Sequence, residues 1–263
     1  MHPSLRNATL LLALALAACA SKPTTTPPPP EPAPVKAQEA TPQQRAQQHA
    51  DLAAGYYERG QLDVALQELD EAKRLDPNNA RIYNVYGLVY TVMGENQKAE
   101  TSFRQSLALA PNDSEIHHNW GVFLCHTGRA REAIPEFEQA IRNPLYKTPE
   151  IALINAGKCS VTLGDTAKAE TYFRQAMTVS PNNPVAAYNL ALLAFRQKRL
   201  DEARAWMRPV MQQQTPGPEA LYLGMCIERK QGDRQSELSY TTQLRNRYPE
   251  SAEAKALPGG SCE

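Results

Sequence analysis

Three histidines and one cysteine in a single predicted helix are the side chains of this sequence best suited to chemistry. They are His117, His118, Cys125 and His126. His118 and Cys125 are seven residues apart, so they share a face of the helix. Imidazole and thiolate groups are ligands that zinc prefers, but a site needs three or four of them converging and oriented by hydrogen bonds. One hypothesis is therefore a metal-binding protein or enzyme that uses the His117/His118/His126 cluster. The other is that these side chains only pack or line a groove.

Other chemical signatures are missing from the sequence. It has no Gly-rich phosphate loop behind a strand, no arrangement of Ser, His and Asp, and no H-E-x-x-H motif. The 28 basic and 28 acidic side chains cancel, and no basic run stands out, whereas a nucleic-acid binder needs clustered positive charge. We therefore predict that the chain is not an enzyme, needs no cofactor and binds no nucleic acid.

A repeat of about 34 residues organises most of the chain. A small residue occurs seven positions before the central residue in five of the six repeats. An alanine occurs five positions after it in five repeats, and a large apolar residue occurs nine positions after it in five. Small residues allow two helices to cross closely, and the large side chain fills the remaining space. The central positions, spaced by 34, 34, 36, 34 and 34 residues, are Gly60, Gly94, Gly128, Gly164, Lys198 and Gly232.

This pattern resembles the tetratricopeptide repeat, a helix-turn-helix of 34 residues, and Tyr86, Gly87, Gly94, Ala99 and Phe103 keep its motif in the second repeat. The resemblance implies an all-α fold, a right-handed solenoid of six helix-turn-helix repeats with a short C-terminal capping helix. Two extra residues predict a longer connection between the third and fourth repeats. The six predicted repeats span 46–79, 80–113, 114–149, 150–183, 184–217 and 218–251, and a capping helix and flexible tail span 252–263.

Four of the five cysteines form two candidate pairs. Cys125 and Cys159 lie on the first helices of successive repeats, which are neighbours in such a solenoid. One expectation is therefore a disulfide that stabilises the fold by about 4 kcal/mol. Two buried thiols are the alternative, because neighbouring helices do not guarantee the required Cα separation. Cys226 and Cys262 are the remaining candidate pair and the weaker one, because Gly259 and Gly260 favour a mobile tail. The alternatives are that both stay reduced or that they bond another chain.

The N-terminal segment predicts the compartment. An apolar run over 10–18 is too short to span a bilayer, so residues 1–18 are predicted to be a signal peptide. Leu16-Ala17-Ala18-Cys19 resembles the bacterial lipobox, which implies lipidation of Cys19 and anchoring to a membrane. The two residues that follow resemble the sorting code for the outer membrane. The expected location is the periplasmic face of the outer membrane; plain secretion is the alternative.

A proline-rich stretch follows the candidate lipidation site. Eight prolines lie between Pro23 and Pro42, four of them consecutive. Such sequences favour polyproline II, at about 3.1 Å per residue. We therefore predict that residues 19–45 are the lipidated cysteine and a disordered tether with a reach of roughly 80 Å.

A concave groove is the expected binding surface, since repeats of this family offer one that is lined by fixed positions of their first helices. Apolar residues are frequent at these positions, which suits an apolar helix or strand of a partner protein. Inter-repeat packing could bury some of them. The candidate groove residues are Tyr57, Asn84, Leu88, Val92, His118, Val122, Ile151, Ile154, Lys158, Tyr188, Leu192 and Phe195.

The sequences around the central cysteines, His118–Cys125, Asn143–Tyr146 and Asn155–Cys159, together with the lipobox and six repeats, resemble the type IV pilus biogenesis and stability lipoproteins of the PilF/PilW pilotin type. The resemblance implies a non-enzymatic outer-membrane scaffold that binds the pilus secretin and other pilus assembly proteins. Solenoids of this kind are often monomers, so a monomer is expected. It also implies a disulfide between Cys125 and Cys159. A general periplasmic adaptor that organises cell-wall hydrolases or an exporter is the alternative.

Overall fold

A computed structural model describes residues 40–259 and residue 262. The predicted signal peptide, Cys19 and almost all of the predicted tether lie outside these residues. The described part contains thirteen α-helices, a final 3₁₀ turn over Leu257–Gly259 and no strand. The helices are α1 Pro42–Glu58, α2 Leu62–Leu75, α3 Ala80–Val92, α4 Asn96–Leu109, α5 Ser114–His126, α6 Ala130–Arg142, α7 Pro149–Thr162, α8 Thr166–Val179, α9 Pro184–Arg196, α10 Leu200–Met211, α11 Pro218–Gln231, α12 Arg234–Arg247 and α13 Ala252–Ala256.

The first twelve helices form six consecutive pairs, and each odd-numbered helix packs on the even-numbered helix that follows it. Neighbouring odd-numbered helices also touch, as α1 does α3 and α5 does α7. The predicted all-α fold of helix-turn-helix repeats is thus confirmed. None of the described helices combines the length and apolar character needed to cross a membrane.

The cores of the second, third and fourth repeats rest on a contact between a glycine and a phenylalanine. A Cβ atom added to Gly87, Gly121 or Gly157 would lie 2.6, 2.9 or 2.5 Å from the ring of the phenylalanine sixteen residues later. These rings, Phe103, Phe137 and Phe173, are fully buried. The absence of a side chain on the first helix therefore lets the second helix approach closely.

The glycine contact predicts that one substitution will have opposite effects at two helical sites. Gly157→Ala should destabilise the fold by about 1 to 3 kcal/mol, because the Phe173 ring occupies the position of the new methyl group. Gly55→Ala should stabilise it by up to about 1 kcal/mol, because the nearest atom there is the mobile guanidinium of Arg59 at 3.6 Å. Chemical denaturation measures both. A stabilising effect of Gly157→Ala would contradict the close helix crossing.

The turns within repeats require a left-handed residue. Gly60, Gly94, Gly128, Gly164 and Gly232 have positive φ, and Lys198 takes the same conformation at φ 61° in the fifth repeat. A non-glycine residue is strained in this region. The alignment of Lys198 with the central glycines therefore reflects a shared backbone shape.

Two connections differ in length from the others. Residues 143–148 link α6 to α7 with six residues, as the extra residues of the third repeat predict, whereas most repeats are linked by four. Residues 212–217 form a second six-residue connection, which the spacing of glycines did not reveal. It arises because α10 ends early, two residues after Pro209.

The first helix begins earlier than predicted. The sequence predicts a tether that includes residues 42–45, but α1 begins at Pro42. Thr41 accepts a hydrogen bond from the backbone N–H of Gln44, whose side chain accepts one from the backbone N–H of Thr41. Together with proline at the first helical position, this capping box starts the helix.

The end of the chain packs against the last repeat. Leu257 is buried beside Leu221, Met225 and Leu244. Cys262 is bonded to Cys226 of α11, with a Cα–Cα separation of 5.5 Å. The last described residue is thereby held against the body.

Candidate protein-binding groove

The odd-numbered helices carry the predicted groove residues. Val92, Val122 and Ile151 are exposed apolar side chains, with exposed fractions of 59%, 38% and 44%, and Lys158 is also exposed. The partly buried members of the set are Tyr57, Leu88, His118, Tyr188, Leu192 and Phe195. Ten of the twelve predicted residues therefore retain surface that a partner could contact.

Two predicted groove residues are buried, and the prediction for them was wrong. Asn84 is 3% exposed, because it lies where α3 meets α5 and its side-chain oxygen accepts a hydrogen bond from Asn119 Nδ2 at 3.2 Å. Ile154 is 6% exposed and packs into the central core. Contacts between repeats thus remove these two side chains from the surface.

One exposed apolar side chain in the connection between α6 and α7 is not among the predicted groove residues. Leu145 is 84% exposed and lies in the six-residue connection before α7, next to Tyr146, which contacts the ring of His118. The repeat register assigns no position to inserted residues. The sequence singles out this segment by its insertion and by the resemblance of Asn143–Tyr146 to the pilus lipoproteins, but neither signal marks Leu145 as a surface residue.

The histidines do not converge on a common point. His117 Nδ1 contacts Glu136 Oε2 at 2.6 Å, and its Nε2 contacts the carbonyl oxygen of Pro111 at 2.9 Å. His118 instead faces Asn155 and the rings of Phe137 and Tyr146. Within residues 40–259 and 262, no group of three His, Cys, Asp or Glu side chains could hold a metal ion. The hypothesis of a metal site on this cluster is therefore not supported by the geometry.

The environments of the two neighbouring histidines predict opposite pKa shifts. The hydrogen bond to Glu136 raises the pKa of His117 above its usual value, whereas burial lowers the pKa of His118 to about 4. An NMR titration of the imidazole signals should therefore show His117 protonating first as the pH falls. A common midpoint for the two rings would contradict the structure.

These shifts have opposite consequences for stability. The raised pKa of His117 stabilises the fold below the unfolded value near 6.5, and this contribution disappears as the pH rises through the folded pKa. The lowered pKa of His118 stabilises the fold above about pH 6.5, and the contribution is lost between there and about pH 4. Glu136→Gln should abolish only the first effect, as measured by melting temperature against pH.

A disulfide joins two of the helices that carry the predicted groove residues. Cys125 on α5 is bonded to Cys159 on α7, with a Cα–Cα separation of 6.0 Å. It therefore fixes the first helices of the third and fourth repeats to each other, beside Val122 and Lys158. Neither cysteine in this bond is free to act as a nucleophile or a metal ligand.

Comparisons with known proteins agree with this architecture. Models of the tetratricopeptide repeat match residues 55–94, 80–113, 126–184, 161–223 and 220–251. These matches and the paired helices define the class. The chain is a tetratricopeptide-repeat protein.

Some of its relatives are pilus proteins. The chain is 27% identical to the type IV pilus assembly protein PilF of Pseudomonas aeruginosa over 205 residues, which cover 78% of this chain and 81% of that protein. A crystal structure of PilW, described as a widely conserved type IV pilus biogenesis factor, superposes with a TM-score of 0.73 at 29% identity, over 81% of this chain and 97% of PilW. A structure of Pseudomonas aeruginosa PilF gives a TM-score of 0.77 at 25% identity, over 84% and 99% of the two chains. The resemblance to the PilF/PilW proteins is confirmed.

Proposed function

We propose that this chain is a non-enzymatic scaffold of type IV pilus biogenesis, which binds other pilus assembly proteins through the concave face of its repeats. The observation that carries the proposal is the likeness to PilF and PilW over nearly the whole length of both. Those proteins are named for type IV pilus assembly and biogenesis. Because the likeness covers 78%, 81% and 84% of this chain in the three comparisons, it is more than a shared repeat motif.

The groove supports a binding role. Exposed Val92, Val122 and Ile151 lie on successive first helices, and burial of such side chains by a partner contributes about 25 cal/mol per Å² of apolar surface. The disulfide between α5 and α7 holds part of this surface rigid. A preformed surface loses less conformational entropy when it binds.

The membrane part of the proposal rests on the sequence. Cys19 in its lipobox would carry the lipid anchor, the outer membrane would be the destination, and the repeats would face the periplasm. The partner proposed for this location is the pilus secretin, whose delivery or assembly the anchored scaffold would assist. The disulfides are consistent with an oxidising compartment.

Deletion of the gene tests the proposal. The membranes of the deletion strain should contain less of the heat-stable secretin multimer, and its cells should carry fewer surface pili. Cys19→Ala should reproduce part of the loss, because an unanchored scaffold is diluted in the periplasm. If the multimer persists while pili disappear, the chain acts after secretin assembly. If neither changes, a general periplasmic adaptor is the better description.

A further inference from the structure

Two adjoining cavities lie on the face of α7, α9 and α11, and they differ in chemistry. The first, of about 90 Å³, is lined by Lys158, Asn189 and Arg196 over an apolar floor that includes Val161 and Leu192. The second, of about 180 Å³, is lined mainly by aromatic and aliphatic side chains, among them Tyr188, Phe195 and Tyr222. Leu192 and Arg196 border both cavities. A positively charged cavity of side-chain size therefore continues into an apolar one.

Lys158 and Arg196, the two cations of the first cavity, form no ion pair with the residues that the structure describes. Within the described part of the chain, no carboxylate lies within 4.0 Å of the Lys158 ammonium or the Arg196 guanidinium. Both side chains are exposed. The even-numbered helices behave differently: Arg174 pairs with both Glu170 and Glu202. Unpaired cations over an apolar floor favour an incoming carboxylate.

The far side of the second cavity has the opposite charge. Glu219, at the start of α11, and Glu253, in α13, line it. Glu219 and Glu253 both act to raise the pKa of Tyr188, after the larger effect of its burial, whereas Arg196 acts to lower it. The groove thus changes from positive at α7 to negative at α11, and this gradient would orient a bound segment.

We propose that the concave face of α7, α9 and α11 docks a segment of a partner protein that carries an acidic side chain next to a large apolar side chain. The carboxylate lies between Lys158 and Arg196, and the apolar side chain enters the cavity of Tyr188, Phe195 and Tyr222. Charge complementarity selects this occupant, because a neutral segment would leave both cations without a partner. The inference rests on the proposed function for the existence of a partner, and it adds the repeats and the chemistry that recognise it.

A selection from a random dodecapeptide library tests this docking surface. The library is displayed on phage and selected on the full chain, purified in detergent. Enriched peptides should carry Asp or Glu beside Leu, Ile, Phe, Tyr or Trp. A selected peptide, labelled with a fluorophore, should then bind with a dissociation constant that rises at least tenfold when its acidic residue is replaced by the corresponding amide. Its binding should weaken as ionic strength increases.

Two charge reversals of equal size make the matched comparison. Arg196→Glu should weaken binding of the selected peptide at least tenfold, and Arg196→Lys should restore most of it. Lys198→Glu, two residues away in the turn and lining neither cavity, should leave the affinity unchanged. Circular dichroism melting of each variant checks that the fold persists, as expected for exposed side chains without an ion pair.

The results separate this docking surface from the pilus role. The docking proposal is overturned if no peptide is enriched, if the enriched peptides lack acidic residues, or if Lys198→Glu weakens binding as much as Arg196→Glu. It stands, and the pilus role fails, if the peptides behave as described while the deletion strain keeps its pili. If the deletion strain loses its pili and Arg196→Glu affects neither peptide binding nor pili, the docking proposal alone is wrong.

Discussion

Phe173→Ala should lower the free energy of unfolding by about 3 to 5 kcal/mol, the largest effect we expect from a single substitution in this chain. Phe173 is fully buried in the central core. Its ring contacts the site where Gly157 has no side chain. Removal of the ring therefore leaves a cavity between α7 and α8. These two helices cannot move together to fill it without separating from their other neighbours.

Urea denaturation followed by circular dichroism measures this loss. Leu145→Ala is the matched control, because Leu145 is 84% exposed and a surface substitution of this kind changes stability by about 0.5 kcal/mol or less. Similar unfolding midpoints for the two variants would show that Phe173 does not hold the helix pair together.

The double substitution Cys125→Ala and Cys159→Ala should lower the free energy of unfolding by about 2 to 4 kcal/mol. The bond joins residues 34 apart in the sequence, so its loss returns to the unfolded chain the freedom of a long loop. It also releases α5 from α7, the helices that carry Val122 and Lys158. Loss of stability should therefore accompany a looser groove.

A chain that lacks Cys226 and Cys262 isolates this bond. In that background, reductant should destabilise the protein by about 2 to 4 kcal/mol. A chain that also lacks Cys125 and Cys159 should not respond to reductant. Labelling of free thiols under native conditions should find none at Cys125 and Cys159. Labelled thiols at both positions, or equal stability with and without reductant, would contradict the bond.

Much of the fold could be predicted from the sequence, because the repeat pattern records helix packing directly. In the second, third and fourth repeats, the glycine seven positions before the turn and the phenylalanine nine positions after it touch in the structure, as at Gly121 and Phe137. The turn of the fifth repeat keeps the same left-handed backbone conformation, although Lys198 stands where the other repeats have glycine. These features depend on contacts within one repeat, and the repeat itself reveals them.

Features that depend on contacts between repeats, or on departures from the period, could not be predicted as well. Asn84 occupies a groove position by register, but Asn119 of the next repeat covers it. The connection at 212–217 was missed because the shortened helix α10 compensates for it in the spacing. The charge gradient between Lys158 and Glu219 likewise appears only when separate helices are brought together.

The number of surface pili on a deletion strain tests the central claim most directly. The strain is complemented with the unaltered chain, with Arg196→Glu or with Lys198→Glu, and pili are counted at equal levels of the protein. We expect pili to disappear on deletion, to return with the unaltered chain and with Lys198→Glu, and to remain scarce with Arg196→Glu. Normal piliation of the strain that lacks the chain altogether would contradict the proposed role in pilus biogenesis.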